Sequence, residues 1–138
     1  MTTKTDKKKI CNCKICIYLI LTAILLMSIC IGSYYYLKYT ANQVTIFISD
    51  LENYVITTDW DNAYISYDQA LENWDKHKNI WQCFLQHQEI DDIESMFQQL
   101  KGYLKTKNVT DSLSSLYELK YNINHVPDTE RISLYNIL

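Results

Sequence analysis

Glycine and proline are almost missing from this chain, with two of the first and one of the second in 138 residues. A fold made of many reversals needs both in its turns, so an all-β chain is excluded and long, rarely broken helices are expected. Two glycines also leave no material for a phosphate-cradling loop. Histidine is equally sparse: only His77, His87 and His125 occur, with no HExxH pair and no Ser–His–Asp order. No catalytic residue and no cofactor is therefore expected, and the chain reads as a non-enzyme. Basic residues do not dominate, since 13 Lys and Arg stand against 16 Asp and Glu for a formal charge of −3. A nucleic-acid partner is disfavoured, because that affinity comes from neutralising phosphates.

The charge that is present is unevenly placed. Residues 1–14 hold Lys4, Lys7, Lys8, Lys9 and Lys14 against Asp6, which leaves the remainder strongly acidic. Between Lys14 and Lys38 the 23 residues "ICIYLILTAILLMSICIGSYYYL" carry no charge. As a helix they would reach about 34 Å, enough to cross a bilayer. A cleaved signal peptide fits less well, because the run exceeds an ordinary h-region and no A-x-A-like site follows it. A lipoprotein signal would want a small residue where Ile29 precedes Cys30. The reading is an uncleaved membrane anchor over 15–37. The lysines put the N-terminus in the cytoplasm, Tyr34, Tyr35 and Tyr36 suit the opposite interface, and residues 38–138 lie outside.

Cys11, Cys13, Cys16 and Cys30 then belong to the anchor and its cytoplasmic edge, and Cys83 alone is exported. The outer domain must hold without an internal disulfide, and Cys83 is expected to be buried and inert, with an intermolecular bond as the alternative. "CNCKIC" places Cys11, Cys13 and Cys16 close enough to contribute to a soft-metal site, but a closed site normally needs four ligands and no His or Cys pair follows. Acylation is a further option beside the lysines.

Beyond the run, apolar residues recur at Leu37, Ala41, Val44, Ile48, Leu51 and Val55, so the span is expected to continue into the domain as one helix. Thr58 or Asp59 caps the next, whose row is Trp60, Tyr64, Tyr67, Leu71, Trp74, Lys78, Trp81 and Leu85, with Lys78 the one exception. A new row begins at Ile90, Ile93, Phe97, Leu100 and Leu104. The apolar face swings by more than a right angle between Leu85 and Ile90, which calls for a turn near Gln86–Glu89. Thr110 or Asp111 caps a last helix faced by Leu113, Leu116, Leu119, Ile123 and Val126, and Pro127 is expected to end it. The tail from Asp128 should pack back through Ile132, Leu134, Ile137 and Leu138. The expected fold is all-α: an N-terminal transmembrane helix continuing into an antiparallel, up-down four-helix bundle, with helices over about 38–57, 59–86, 90–107 and 110–126.

Several patterns could carry function. "WQCFLQHQEIDDIE" places Cys83, His87, Asp91 and Glu94 at helical spacing, but the change of phase assigns Cys83 and His87 to one helix end and the two acids to the next start. His87 and Glu89 are then structural corner residues. Each histidine is expected near a helix C-terminus, where partial charge suits the dipole. Tyr64, Tyr67 and Trp74 could form an aromatic ligand platform only if partly open to solvent; aromatics in such rows are more often core. Asn108-Val109-Thr110 matches a glycosylation acceptor, a short motif that matters only in a glycosylating pathway. The "DWDNAYISYDQALENW" segment has tetratricopeptide-like spacing without a 34-residue repeat.

The basic N-terminus, single span, Trp74 and Trp81, His87-x-Glu89-Ile90, the Leu-rich last helix and closing Asn136-Ile137-Leu138 resemble a family of small bacterial membrane-anchored proteins classed as a domain of unknown function. The resemblance implies no catalytic residue. Members of that family are often encoded near another uncharacterised membrane protein, which implies a membrane-protein partner; "CNCKIC" is not part of its pattern. The expectation is a non-enzymatic accessory protein that meets a membrane partner or another copy of itself. A small-ligand or envelope-state sensor and a metal-binding protein are the alternatives.

Overall fold

In the computed structural model the backbone of residues 4–135 and the side chains of residues 14–127 are described. Four helices follow in order: α1 (Lys4–Ile56), α2 (Trp60–Trp81), α3 (His87–Lys105) and α4 (Val109–Tyr135). No strand occurs among the described residues. The chain divides into two compact units, Met1–Ser33 and Tyr34–Leu138.

In the first unit, α1 turns its apolar side chains outward: Tyr18, Leu19, Leu25 and Leu26 are each more than 60% exposed. Its hydroxyls bond to their own helix, Thr22 Oγ1 donating to the Leu19 carbonyl at 2.9 Å and Ser28 Oγ to that of Ile24 at 2.8 Å. The segment therefore asks nothing polar of its surroundings.

The second unit is an antiparallel four-helix bundle. α1 contributes all six residues of its apolar row, Leu37, Ala41, Val44, Ile48, Leu51 and Val55, to one buried core. α3 contributes all five of its own, Ile90, Ile93, Phe97, Leu100 and Leu104. Polar ties run between neighbouring helices. Trp81 Nε1 donates to Thr40 Oγ1 at 2.8 Å between α2 and α1, and Tyr67 Oη donates to the Phe97 carbonyl at 3.0 Å between α2 and α3. Lys120 meets Glu52 at 3.2 Å and Asn124 Nδ2 donates to Thr45 Oγ1 at 3.0 Å, both joining α4 to α1.

Two corners share one construction. At the end of α1 the Thr58 N–H bonds to the Val55 carbonyl and the Asp59 N–H to that of Tyr54; at the end of α3 Lys107 and Asn108 repeat this toward Leu104 and Tyr103. These paired bonds require a left-handed residue, supplied by Thr58 at φ 58° and Lys107 at φ 51°. Thr57 and Thr106 each return a hydroxyl to the preceding turn. Asp59 then caps α2 by accepting from the Asn62 N–H, and Asn108 caps α4 by accepting from the Asp111 N–H at 3.1 Å. Asn108 therefore takes the place expected of Thr110 or Asp111: its amide oxygen is set by the preceding corner to meet the first free N–H groups.

The correspondence extends beyond the corners. At the same constant offset Ala41, Val44, Ile48, Leu51 and Val55 match Ile90, Ile93, Phe97, Leu100 and Leu104, and Ala63, Ser66, Tyr67, Ala70 and Trp74 match Ser112, Ser115, Leu116, Leu119 and Ile123. Every one of these residues is buried. The bundle is thus two helical hairpins of one pattern that differ in side-chain volume: Ala41 and Ala70 correspond to the larger Ile90 and Leu119, while Tyr67 and Trp74 correspond to Leu116 and Ile123.

Further expectations need correction. Pro127 does not end the last helix; it is buried within α4, which continues to Tyr135. The proline deletes one intrahelical bond, and the buried Ile123, Val126 and Pro127 hold the turn in the bundle regardless. α2 stops at Trp81, where Phe84 and Leu85 N–H groups both bond to the Trp81 carbonyl at 2.9 Å, tightening the chain so that Leu85 can close the core. His87 consequently opens α3 and does not lie at a helix C-terminus, and His125, with α4 running on to Tyr135, does not either. The expected packing of the tail through Ile132, Leu134, Ile137 and Leu138 lies outside the described side chains.

Candidate functional site

The end of the bundle where the chain enters at Tyr34 gathers its most unusual side chains. α2 is held there against α1 by two polar contacts. The Tyr36 hydroxyl and His77 Nδ1 share a hydrogen bond of 2.9 Å, with the rings edge to face at 6.0 Å, and Trp81 Nε1 reaches the buried Thr40 hydroxyl. The Thr40 hydroxyl in turn donates to the carbonyl of Tyr36 or Leu37. A buried indole needs such an acceptor, and this one lies beside the apolar row of α1. From the sequence His77 is placed near a helix C-terminus without its Tyr36 partner, and Thr40 is not singled out; a buried Trp81 is the signal that an acceptor has to face it.

Behind these contacts the aromatics form a continuous stack. Trp74 and Trp81 meet edge to face at 5.1 Å, and Trp74 and Tyr67 lie 6.4 and 6.1 Å from Phe97. Tyr67, Trp74 and Trp81 are at most 1% exposed. The condition for a ligand platform is therefore not met, and only Tyr64 remains partly open. Burial, reinforced by Asp68 and Asp75, pushes the Tyr67 phenol up to about 12, so it acts as a hydrogen-bond donor throughout the ordinary pH range. Trp74 Nε1 has no hydrogen-bond partner among the described residues.

The stretch 81–94 divides differently from the expectation. Cys83 lies in the corner, exposed, its thiol directed to the Asn79 carbonyl at 3.5 Å. The expected burial fails because α2 has already ended and the residue projects from the turn. His87, Asp91 and Glu94 all stand on α3, but Glu94 is committed to Lys78 of α2 at 2.7 Å, and Lys78 also meets Asp75 at 2.9 Å. Those two carboxylates hold the Lys78 ammonium above its usual range, which explains a lysine in an otherwise apolar row. Glu89 accepts from the Gln86 N–H at 3.3 Å at the start of α3, while His87 is exposed beside it. Among the described residues no group of three potential ligands is close enough to hold a metal ion. Cys16 is exposed on α1, and the side chains of Cys11 and Cys13 lie outside the described residues.

Asn108 of the glycosylation-like triplet is engaged in its cap, its amide also donating to Asp111 Oδ2 at 2.6 Å. On the outer side of α4, Tyr117 and Tyr121 are 53% and 63% exposed. Tyr121 stacks on His125 at 5.0 Å over an open depression shared with Lys120 and Asn124. A hydrogen bond to Glu52 raises the Tyr117 phenol. These groups are polar, open and unconverged, and they offer no nucleophile with an adjacent base.

A family model described as Domain of unknown function (DUF4363) matches residues 31–137. No curated protein and no solved structure matches the chain.

Proposed function

The chain belongs to the family DUF4363, a domain of unknown function, and from that premise we propose a non-enzymatic, membrane-anchored accessory protein. Its N-terminus is cytoplasmic and its helical bundle stands outside the membrane. One observation carries the anchoring: α1 has a run long and apolar enough to cross a bilayer, with mean hydropathy 2.6 and none of that window buried within the protein. A soluble protein rarely leaves so large an apolar surface open, and lipid satisfies it without any polar partner. Lys4, Lys7, Lys8 and Lys9 on one side of the run support the orientation.

The bundle's role is to meet another membrane protein. The apolar row of α1 cannot serve as that seam, since the protein's own core consumes it. The exposed Tyr117 and Tyr121 of α4 are the contact, large side chains with polar tips that lose little entropy on docking. Crosslinking in native membranes at near-native expression tests this. A discrete heteromeric product that disappears in Tyr117→Ser/Tyr121→Ser supports it; monomer alone, or a product indifferent to the substitutions, overturns it.

A further inference from the structure

We propose that the α2–α3 corner is a second membrane contact: Ile80 and Phe84 insert at the lipid interface beside the point where the chain leaves the span. This rests on the anchoring reading above and extends it from a tethered bundle to one seated on the bilayer.

The first support is position. Tyr36 bonds to His77 and Thr40 to Trp81, so the residues that begin the second unit and the last turn of α2 lie at one end of the bundle. The corner at Gln82–Gln86 follows directly, at the end where the chain enters from its apolar run. The second support is chemistry. From Asn79 through Gln88 the chain, "NIWQCFLQHQ", has no acidic residue, lysine or arginine, although Lys78 and Glu89 flank it immediately. Ile80 in the last turn of α2 and Phe84 in the corner are 43% and 38% exposed, while the adjacent Leu85 is buried.

The third support is contrast with the opposite end. The corners there present Asp59 and Asp61, and Lys105, Lys107 and Asp111, with threonines between them. Both of those corners are built for water. The α2–α3 corner thus differs from both, presenting exposed Ile, Phe and uncharged amides where they present charge. A lipid interface accepts that composition: apolar side chains enter the acyl boundary while Gln82, Gln86 and Gln88 remain among the headgroups. Charge complementarity would suit a protein partner poorly at the corner itself, which offers no acidic residue, lysine or arginine between Lys78 and Glu89.

Nitroxide depth measurement on the full chain tests the proposal. The protein is reconstituted in phosphatidylethanolamine–phosphatidylglycerol vesicles with Cys11, Cys13, Cys16 and Cys30 changed to Ser, and Cys83 is spin-labelled. Thr58→Cys and Leu21→Cys, each with Cys83→Ser, provide the far corner and the span. The expected result is that the label at 83 is more accessible to oxygen than to an aqueous nickel chelate, that the label at 58 shows the reverse, and that Phe84→Glu moves the label at 83 to the aqueous value with helicity unchanged. A label at 83 as aqueous as that at 58, while position 21 is lipid-buried, overturns the corner contact and leaves the anchor standing. Aqueous values at both 21 and 83 overturn the anchor and the corner together.

Discussion

Replacing Tyr67 by phenylalanine removes one oxygen from a side chain that solvent does not reach. The lost group donates to the Phe97 carbonyl at 3.0 Å and ties α2 to α3 through the middle of the core. The ring itself still fills its place against Phe97, so the change is a lost hydrogen bond with almost no cavity. A buried bond of this kind contributes about 1 kcal/mol. For a bundle of this size that lowers the melting temperature by about 4–8 °C.

The pH dependence is the sharper part. The folded phenol sits at about 12, against 10.0 for a free one. Below pH 10 both folded and unfolded chains keep the proton, so the contribution is fully present. Between pH 10 and 12 the unfolded chain releases it while the folded chain holds it, and stability falls by up to about 1.4 kcal/mol per pH unit. The phenylalanine variant lacks this loss. The wild type is therefore the more stable at pH 7–9, the two curves cross near about pH 11, and the variant leads above it. Thermal unfolding of the full chain in mild detergent, followed by the near-ultraviolet dichroism of its tryptophans, gives both curves. Equal stability at pH 7 with parallel curves to pH 12 would refute the reasoning.

Two further perturbations follow from the packing. Trp81→Phe loses the indole donor to Thr40 as well as volume, whereas Trp74→Phe loses volume and an N–H that has no partner among the described residues; the first should destabilise the bundle more, by about 1 kcal/mol, in the same unfolding assay. Thr58→Gly and Lys107→Gly relieve left-handed residues that carry a Cβ, at φ 58° and 51°. Each should raise the melting point by a few degrees, corresponding to about 0.5–1 kcal/mol, and a fall would show that the side chains matter more than the backbone.

The apolar rows of α1 and α3 were legible residue for residue because, Ala41 apart, large aliphatics and one phenylalanine fill them. The row read for α2 found Tyr67, Trp74 and Trp81 but missed Ala63, Ser66 and Ala70, which are just as buried. Small residues leave a weak hydropathy signal where helices approach closely. The same weakness hid Ser112 and Ser115 on α4. The two-hairpin pattern was hidden too, since the matched halves share burial and corner geometry while few identities survive beyond Leu51 and Leu100, Tyr54 and Tyr103, and Thr57 and Thr106.

The corner at Cys83–His87 was misassigned by a few residues for a local reason. The swing of the apolar face fixes that a turn exists, but backbone hydrogen bonds to Trp81 decide where α2 stops. His87 changed helices and Cys83 left the core as a result. Pro127 misled because a proline's cost of about 3 kcal/mol is local, whereas the packing that opposes it comes from partners distant in sequence.

Topology in living cells tests the central claim most directly. A full chain tagged at its N-terminus is expressed in bacteria, the outer face of protoplasts is treated with protease, and membranes are extracted with alkaline carbonate. The account predicts a tagged fragment of the span that resists extraction, with the bundle digested from outside. A chain released by carbonate, or a bundle protected until the protoplasts are lysed, would contradict it.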